Sequence, residues 1–352
     1  MLIIACIIAC AITFALTFPI RKVIAPKFKF LDIPKDERRM HTKPMPLIGG
    51  LGIYIAFSVA SLVFGYFDAL PYILGGGIIV VCGLFDDRFD IKPIYKIICQ
   101  AAAGTVLCLF GVTVQHVCFF GYHIQLGIFQ YPLTVLWVMA VTNAFNLIDG
   151  LDGLCTGISV ISAGGIGLLA LATGHSEVFV CAMILMTAAL GFLPHNAHPA
   201  KIFLGDTGSM FFGFVMSALS INAVYVDGTH VPTMVAIVLI GLPVFDTAYA
   251  IVRRIIRKKK ITEGDKEHVH HVLCRRYSLV KAVALMYLAS VICVGIALFT
   301  AGEGIFEAIG YVLMAAAVVF GAIRFKLKPE EKTSAEPPNN DNSDNSDNNE
   351  TK

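Results

Sequence analysis

Three carboxylates directly follow an apolar run in the first quarter of the sequence. Asp86, Asp87 and Asp90 lie within five positions after the segment VVCGLF. Two carboxylates about 4 Å apart repel by roughly 4 kcal/mol at an effective dielectric of 20, so such a cluster needs protonation, water or a cation. If the preceding helix continues, Asp86 and Asp90 share one face of it. A solvated loop without a chemical role is the alternative.

A second polar stretch, NAFNLIDGLDGL, spaces four polar side chains three residues apart. These are Asn143, Asn146, Asp149 and Asp152. A helix or 3₁₀ turn would align them on one face. Gly150 would let backbone or a ligand approach closely. Helix capping is the alternative explanation of this spacing.

A third stretch, HNAHPAKIFLGDTGS (195–209), ends in an acid flanked by small residues. Asp206 follows Gly205 and precedes Thr207 and Ser209, at the start of a predicted apolar helix. The N-terminus of a helix favours anions, and a carboxylate there can hold a metal bound to phosphate. The alternative is that this segment only caps the helix.

A fourth stretch, residues 253–277, combines positive charge with histidines. Ten Lys and Arg residues occur between Arg253 and Lys281, and His268, His270 and His271 lie within four positions. A membrane anchor that contacts anionic lipids is the alternative for the Lys and Arg residues. That alternative does not explain three histidines so close together.

A single acid interrupts the apolar segment before this loop. Asp246 lies about two turns before Arg253. An acid inside an apolar segment is costly and is therefore a functional candidate. A structural ion pair with Arg253 or Arg254 is the alternative.

The composition indicates a membrane protein. The 352 residues are 57% hydrophobic and 15% charged, with a mean hydropathy of +0.75. A soluble domain carries about 25% charged residues. The ten cysteines show no CxxC pair and are mostly within apolar segments, as small core hydrophobes would be. We therefore predict an all-α polytopic membrane protein.

Eleven apolar runs approach the length of about 20 residues that crosses roughly 30 Å of hydrocarbon. Their approximate bounds are 2–20, 47–66, 70–85, 94–111, 132–148, 154–173, 178–194, 207–226, 232–252, 280–300 and 305–324. We therefore predict eleven transmembrane helices.

The positive charges orient these spans. All 27 Lys and Arg residues fall in alternate loops and the tail, at 21–46, 86–96, 195–206, 253–281 and from 324 onward. The positive-inside rule makes these segments cytoplasmic. The N-terminus is then outside and the C-terminus cytoplasmic, so all four polar stretches face the cytoplasm.

The remaining segments complete the predicted organisation. A short β-hairpin is predicted near 112–131, on the outer side, because its side chains alternate weakly around Gly121. Residues 1–325 form a single transmembrane catalytic domain. The Asn/Asp/Ser-rich tail at 326–352 has almost nothing apolar to bury and is predicted to be disordered.

These features together favour phosphoryl transfer at the cytoplasmic membrane face. Carboxylates suit Mg²⁺, which keeps waters and bridges phosphates, and nearby Lys and Arg hold phosphate oxygens. Transfer between a nucleotide diphosphate and a membrane component uses such groups. A secondary transporter, suggested by Asp246 and the glycine-rich spans, is the alternative. Against it, the polar residues cluster at one face and no inverted repeat is visible.

Five motifs then carry a family resemblance. They are HTKPMPLIGG (41–50), DDRFD (86–90), NAFNLIDGLDGL (143–154), the NxxPAKxFxGDTGS pattern (196–209) and HVHH (268–271). The sequence resembles the polyprenyl-phosphate N-acetylhexosamine-1-phosphate transferase superfamily, the family of the bacterial MraY enzyme, from Arg38 to Tyr277. The HVHH motif, in place of a triple histidine followed by an acid, resembles the branch of undecaprenyl-phosphate GlcNAc-1-phosphate transferases.

The resemblance implies a reaction and its partners. UDP-GlcNAc and undecaprenyl phosphate would give undecaprenyl-diphosphate-GlcNAc and UMP, with Mg²⁺, or Mn²⁺ in its place. UDP-MurNAc-pentapeptide and UDP-GalNAc are alternative donors. The enzyme would lie in the bacterial plasma membrane among lipids, as a homodimer, without nucleic acid. It would catalyse the first membrane step in the synthesis of a cell-envelope glycopolymer such as teichoic acid or lipopolysaccharide.

The resemblance also implies roles for individual residues. The catalytic set comprises Asp86, Asp87, Asp90, Asp152, His268, His270 and His271. The substrate-binding set comprises Lys43, Lys96, Asn143, Asn146, Asp149, Asn196 and Phe203. The metal ligands are Asp206 and Asp87. Within these sets, Lys96 would contact the lipid phosphate, Phe203 would stack on uracil, and Asp86 or Asp87 would act as a base.

Overall fold

The computed structural model describes residues 1–33, 44–119, 122–225, 231–256 and 268–301. The chain divides into two compact units, Met1–Gly310 and Tyr311–Lys352. The second unit, the predicted span 305–324 and the predicted tail lie outside the described residues, so the span and the disorder of the tail stay predictions.

The described residues are mostly helical, as the apolar runs predict. The long helices are α1 (Leu2–Pro19), α3 (Gly49–Val63), α4 (Leu70–Phe89), α5 (Pro93–Leu109), α6 (Gln130–Ile148), α7 (Leu154–Thr173), α8 (Ser176–Asn196), α9 (Gly205–Val224), α11 (Gly241–Ile256) and α13 (Leu279–Thr300). The short helices are α2 (Ala25–Phe28), α10 (Thr233–Leu239) and α12 (Val269–Cys274), and single turns of other helix types occupy Ile20–Ile24, Phe67–Ala69 and Gly127–Phe129.

Two short antiparallel strand pairs accompany the helices. Strand β3 (His116–Phe119) pairs with β4 (Tyr122–Gln125), with His116 opposite Gln125, which confirms the predicted hairpin. Strand β1 (Leu31–Asp32) pairs with β2 (Met45–Pro46). This second pair is not predicted from the sequence, because two-residue strands are too short to show an alternating pattern.

The helices confirm a multi-pass membrane protein but not the count of eleven spans. Seven helices in the described part are long and apolar enough to cross a membrane. The helices α10 and α11 together make an eighth candidate, bent by 92° at their junction. Pro243 lacks an N–H group to bond back across this junction, which helps to explain the break. The helices α3 and α5 are apolar but only 15 and 17 residues long.

Helix α9 occupies the centre of the bundle. It packs against α3, α4, α6 and α7. Every residue from Gly205 to Val224 is buried except Asp206 at its beginning and Asn222 near its end. Because the rest of the helix is enclosed, Asp206 is the point where the central helix meets the polar end of the bundle.

Glycines bring the neighbouring helices close to the beginning of α9. A Cβ atom at Gly50 in α3 would collide with the backbone of Gly208, and one at Gly83 in α4 would lie 2.5 Å from Thr207 Cα. Small residues at helix crossings allow this approach. The C-terminal end of α4, with its carboxylates, is thereby held against the first turn of α9.

Helix α13 packs against the loop between α6 and α7, at the polar end of the bundle. The hydroxyl of Tyr287 donates a hydrogen bond of 2.6 Å to the carbonyl of Gly153, and its ring packs on Gly157. The short helix α12 directly precedes α13 in the chain. This contact therefore holds the histidine motif beside the loop between α6 and α7.

Candidate active site

The ammonium group of Lys96 joins two carboxylates from different helices. Lys96 Nζ lies 2.7 Å from Asp86 Oδ2 and 2.6 Å from Asp206 Oδ2. Asp86 lies in the last turn of α4, Lys96 in the first turn of α5 and Asp206 in the first turn of α9. The three side chains are between 10% and 24% exposed, so they reach the surface of the bundle. The structure thus brings together three residues that the sequence predicts for the site.

Asp87 holds the beginning of α9 from the neighbouring helix. Its Oδ1 accepts a hydrogen bond of 2.8 Å from the N–H of Asp206. Its Oδ2 accepts bonds of 3.1 and 2.6 Å from the N–H and hydroxyl of Thr207. This carboxylate satisfies backbone donors that a helix otherwise leaves unpaired at its N-terminus. Asp87 therefore positions Asp206, and its predicted contact with metal stays a prediction.

A glycine is required between this cap and the preceding loop. Gly205 has φ of +74°, and a Cβ atom there would collide with the carbonyl oxygen of Leu47 and lie 2.7 Å from Asp87 Oδ2. Only glycine adopts such a conformation without strain. Gly205 thus supplies the backbone conformation that places the next residue, Asp206, in the site.

The carboxylate pair has the chemistry of a divalent cation site. A cationic group already lies between Asp86 and Asp206, and Asp86 Oδ1 is buried without a hydrogen-bond partner among the described residues. Carboxylate oxygens of this kind suit Mg²⁺, which often takes one or two protein carboxylates and completes its shell with water and substrate phosphates. The described part of the chain contains no group of three or more His, Cys, Asp or Glu side chains arranged to hold a metal. The residues fit Mg²⁺ shared with a phosphate substrate.

Asp90 does not continue the acidic face of α4. The helix ends at Phe89, and Asp90 takes a left-handed conformation with φ of +52° as its C-cap, with an exposed side chain. The conditional expectation that Asp86 and Asp90 share a helix face therefore does not hold. The left-handed residue turns the chain from α4 toward Pro93, where α5 begins.

The Asn/Asp ladder is also divided by the end of a helix. Asn143 and Asn146 belong to α6, whereas Asp149 is its C-cap and Asp152 lies in the following loop. Asn143 Nδ2 donates to Gln100 Oε1 at 2.8 Å and to the Met139 carbonyl at 2.7 Å. Its amide donors are thus used within the protein, and its predicted contact with substrate stays a prediction.

Asn146 and Asp149, the two central residues of the ladder, both interact with residues at the beginning of α9. Asn146 Nδ2 donates a bond of 3.1 Å to Ser209 Oγ in the first turns of α9. Removal of the Asp149 carboxyl from water, together with the charges of Asp206 and Asp152, raises its pKa to about 8. The raised pKa favours the protonated carboxyl, which can donate a hydrogen bond to a ligand.

Asp152 and Asn196 order the loop between α8 and α9, and their predicted roles in catalysis and substrate binding stay predictions. Asp152 Oδ2 lies 2.8 Å from His198 Nδ1 and accepts a bond of 3.1 Å from the N–H of Ala200. Asn196 is buried, accepts from Thr156 Oγ1 at 2.8 Å and donates to the Ile202 carbonyl at 3.1 Å. These bonds fix the path of the chain into Asp206.

The loop that carries Phe203 pairs with the segment before α3. The N–H of Phe203 donates to the Pro46 carbonyl at 2.8 Å, and the N–H of Gly49 donates to the Phe203 carbonyl at 3.0 Å. The Phe203 side chain is half-buried. Lys43 precedes this segment but lies outside the described residues, so its role stays a prediction.

The three histidines form one stacked cluster. The ring centroids of His268 and His270 are 5.8 Å apart with nearly parallel planes, and those of His270 and His271 are 4.2 Å apart. The His270 ring packs on Gly150, where a Cβ atom would collide with Nε2. Burial, with His271 and His268 nearby, lowers the pKa of His270 to about 4, so its ring is neutral at neutral pH.

Comparison with known proteins decides the family. A family model described as "Glycosyl transferase family 4" matches residues 69–224. The chain is 40% identical over 260 residues to the "Probable undecaprenyl-phosphate N-acetylglucosaminyl 1-phosphate transferase" of Bacillus subtilis (strain 168), with 72% of each chain covered. The chain belongs to glycosyl transferase family 4. The resemblance to polyprenyl-phosphate N-acetylhexosamine-1-phosphate transferases is thereby confirmed.

Two further relatives have similar descriptions. The "Decaprenyl-phosphate N-acetylglucosaminephosphotransferase" of Mycolicibacterium smegmatis is 32% identical over 325 residues, with 81% of this chain and 78% of the relative covered. The "Undecaprenyl-phosphate alpha-N-acetylglucosaminyl 1-phosphate transferase" of Escherichia coli (strain K12) is 29% identical over 283 residues, with 78% and 77% covered.

The matched glycosyl transferase family 4 segment contains the carboxylate site but not the histidines. It runs from the turn before α4 to the end of α9 and so includes Asp86, Lys96 and Asp206. The histidine motif lies beyond it, at 268–271. The packing of His270 on Gly150 joins the two regions.

Two pairings of predicted residues in this site are not evident from the sequence: Asn143 with Gln100, and His268 with Asp246. Gln100 is fully buried and pairs with Asn143, but a single glutamine in an apolar span gives no pattern. The sequence predicts Asp246 as a functional candidate, with Arg253 or Arg254 as its alternative partner, and the structure places its carboxylate 2.8 Å from His268 Nδ1. That pairing joins residues 22 positions apart in the sequence, which helical spacing does not predict.

Proposed function

We propose that this glycosyl transferase family 4 protein transfers GlcNAc-1-phosphate from UDP-GlcNAc to undecaprenyl phosphate. The observation that carries the proposal is the Lys96 ammonium held between Asp86 and Asp206 at one end of the bundle. Two carboxylates can hold a divalent cation that binds phosphate, and the ammonium group can hold a further phosphate oxygen. Transfer between two phosphate-bearing substrates uses both kinds of group. The descriptions of the relatives supply the sugar and the lipid.

The chemistry is a displacement at phosphorus. An oxygen of undecaprenyl phosphate forms a bond to the β-phosphorus of UDP-GlcNAc, and the bond from that phosphorus to the oxygen of UMP breaks. The products are undecaprenyl-diphosphate-GlcNAc and UMP. Catalysis of such transfer consists mainly of positioning and charge stabilisation. UDP-MurNAc-pentapeptide and UDP-GalNAc remain alternative donors for the same displacement.

We propose Mg²⁺, or Mn²⁺ in its place, as the cofactor, with Asp206 and Asp86 as the residues that hold it. When bound, the ion neutralises charge on the phosphate oxygens. Asp87 keeps Asp206 in place through the first turn of α9. Lys96 is close enough to both carboxylates to contact a phosphate oxygen beside them.

The other predicted residues surround this pair. We assign Asn146, Asp149 and Phe203 to the uridine, because they lie at the end of α6 and in the loop before α9. We assign His270 and His271 to the sugar phosphate, because the neutral imidazole of His270 offers one donor and one acceptor and the His271 ring lies beside it. We propose that the protein is a homodimer in the bacterial plasma membrane. Its reaction would be the first membrane step in the synthesis of teichoic acid or lipopolysaccharide.

The first test is transfer by the purified protein. With radiolabelled UDP-GlcNAc, undecaprenyl phosphate and Mg²⁺, we expect label in the butanol-extractable lipid and an equal amount of UMP. UDP-GalNAc and UDP-MurNAc-pentapeptide should give at least about tenfold lower kcat/KM, equivalent to about 1.4 kcal/mol in transition-state binding. UMP without lipid product would refute the transfer, and faster reaction with another donor would reassign the sugar.

We further propose eleven spans with the site on the cytoplasmic side. The one-sided distribution of all 27 Lys and Arg residues supports this orientation. In cells that express Ser176→Cys, an impermeant maleimide should label the protein from outside, above the labelling of its own cysteines. Lys201→Cys should be labelled only after the membrane is permeabilised. The reverse pattern would place the site outside.

A further inference from the structure

Asp246 is a buried acid to which the proposed chemistry gives no role. It lies in α11, and its side chain is only 3% exposed. Its Oδ2 lies 2.8 Å from Nδ1 of His268, and its Oδ1 accepts a hydrogen bond of 2.9 Å from the N–H of Val269. An acid in such a place is costly unless its oxygens are paired. Both oxygens are paired here, and both pair with the histidine motif.

These two bonds fix the beginning of α12. His268 is the N-cap of α12 and Val269 is its first residue. A helix of only six residues is not stable by its own hydrogen bonds, so its orientation depends on contacts with the rest of the protein. Asp246 supplies one such contact to a side chain and one to the backbone.

The anchoring extends from His268 to His270. The two rings stack with an angle of 13° between their planes. His270 is 1% exposed, and its Nδ1 has no hydrogen-bond partner among the described residues. A buried polar atom without a partner is costly and marks a place where a ligand can pair. The position of this nitrogen depends on how α12 is held.

We propose that Asp246 is a positioning residue that orients the histidine motif for phosphoryl transfer. The proposal rests on the proposed function, because that function assigns His270 and His271 to the sugar phosphate. A carboxylate bound to Nδ1 fixes the tautomer and orientation of a histidine ring. Asp246 thus acts through His268 and has no direct contact with the reacting atoms.

A double-mutant cycle tests whether Asp246 acts through His268. Asp246→Asn should lower kcat by about 10- to 100-fold, the usual effect of losing a carboxylate behind a functional histidine, with a much smaller change in KM. The double variant Asp246→Asn/His268→Gln should lose no more than His268→Gln alone, because the two residues form one unit. Losses that multiply would refute the proposal. Glu177→Gln, an exposed acid at the start of α8, is the control and should leave kcat unchanged.

Hydrogen exchange gives a second readout that needs no activity. In Asp246→Ala, the peptide covering α12 should exchange at least about tenfold faster than in the wild type, because the N–H of Val269 and the His268 ring lose their acceptors. Peptides from α4 and α9 should keep wild-type exchange, which shows that the fold is intact. If Asp246→Ala does not purify, Asp246→Asn is measured in its place.

The two readouts separate the two proposals. Unchanged exchange in α12 would refute the anchoring by Asp246, whatever the activity. Absence of lipid product from the wild-type protein would refute the proposed function instead. In that case faster exchange of α12 would still establish the anchoring and leave only its purpose to be reassigned.

Discussion

Asp206→Asn is expected to lower kcat by at least about 10³-fold, or about 4 kcal/mol of transition-state stabilisation. The amide has no charge to balance a metal ion, and its NH₂ group would face the Lys96 ammonium if it occupied the Oδ2 position. Excess Mg²⁺ should not restore the rate, because the missing ligand is part of the protein. The measurement is single-turnover transfer from UDP-GlcNAc, together with Mn²⁺ binding followed by electron paramagnetic resonance.

The structure predicts that this variant folds. Asp87 bonds to the backbone N–H of Asp206, which the substitution leaves unchanged. Thermal unfolding should therefore stay within about 1 kcal/mol of the wild type, as for most partly exposed polar replacements. Asp68→Asn, an exposed acid in the turn before α4, is the matched control and should retain both rate and Mn²⁺ binding. Near-normal activity of Asp206→Asn would remove Asp206 as a ligand and leave Asp86 as the candidate.

The apolar runs predicted the helices well, because each run is long and its composition is decisive. Each of the ten predicted spans that fall on described residues coincides with a helix or with the bent pair α10–α11. Hydropathy did not reveal the 92° bend or the shortness of α3 and α5. A bend depends on one junction, and an average over a window of about 19 residues conceals a single junction.

The motifs predicted which residues gather, but not what each one does. Asp86, Lys96 and Asp206 were predicted for one site, and the structure places the Lys96 ammonium within 2.7 Å of a carboxylate oxygen of each acid. The three hydrogen bonds that Asp87 accepts from the first turn of α9 were not predicted. They join residues about 120 positions apart, and such pairing follows from helix packing rather than from local sequence spacing.

Gly205→Ala is expected to have the second largest effect, because it disturbs the residue that leads into Asp206. Its φ of +74° costs an L-residue about 1–2 kcal/mol. A Cβ atom there would also collide with the Leu47 carbonyl oxygen and crowd Asp87 Oδ2. Neither neighbour moves easily, since one is backbone and the other is fixed by three hydrogen bonds. We expect a loss of more than about 3 kcal/mol in stability and at least about 10²-fold in kcat.

Gly65→Ala separates the cost of the backbone conformation from the cost of the collision. Gly65 has nearly the same φ, +75°, but a Cβ atom there meets nothing within 4 Å. This control should lose only about 1–2 kcal/mol on thermal unfolding in detergent and keep its transfer rate. The difference between the two variants measures the collision with Leu47 and Asp87. Equal losses of stability, with full activity in both, would show that the first turn of α9 can shift without disturbing Asp206, and the close packing around Gly205 would then have no part in placing the acid.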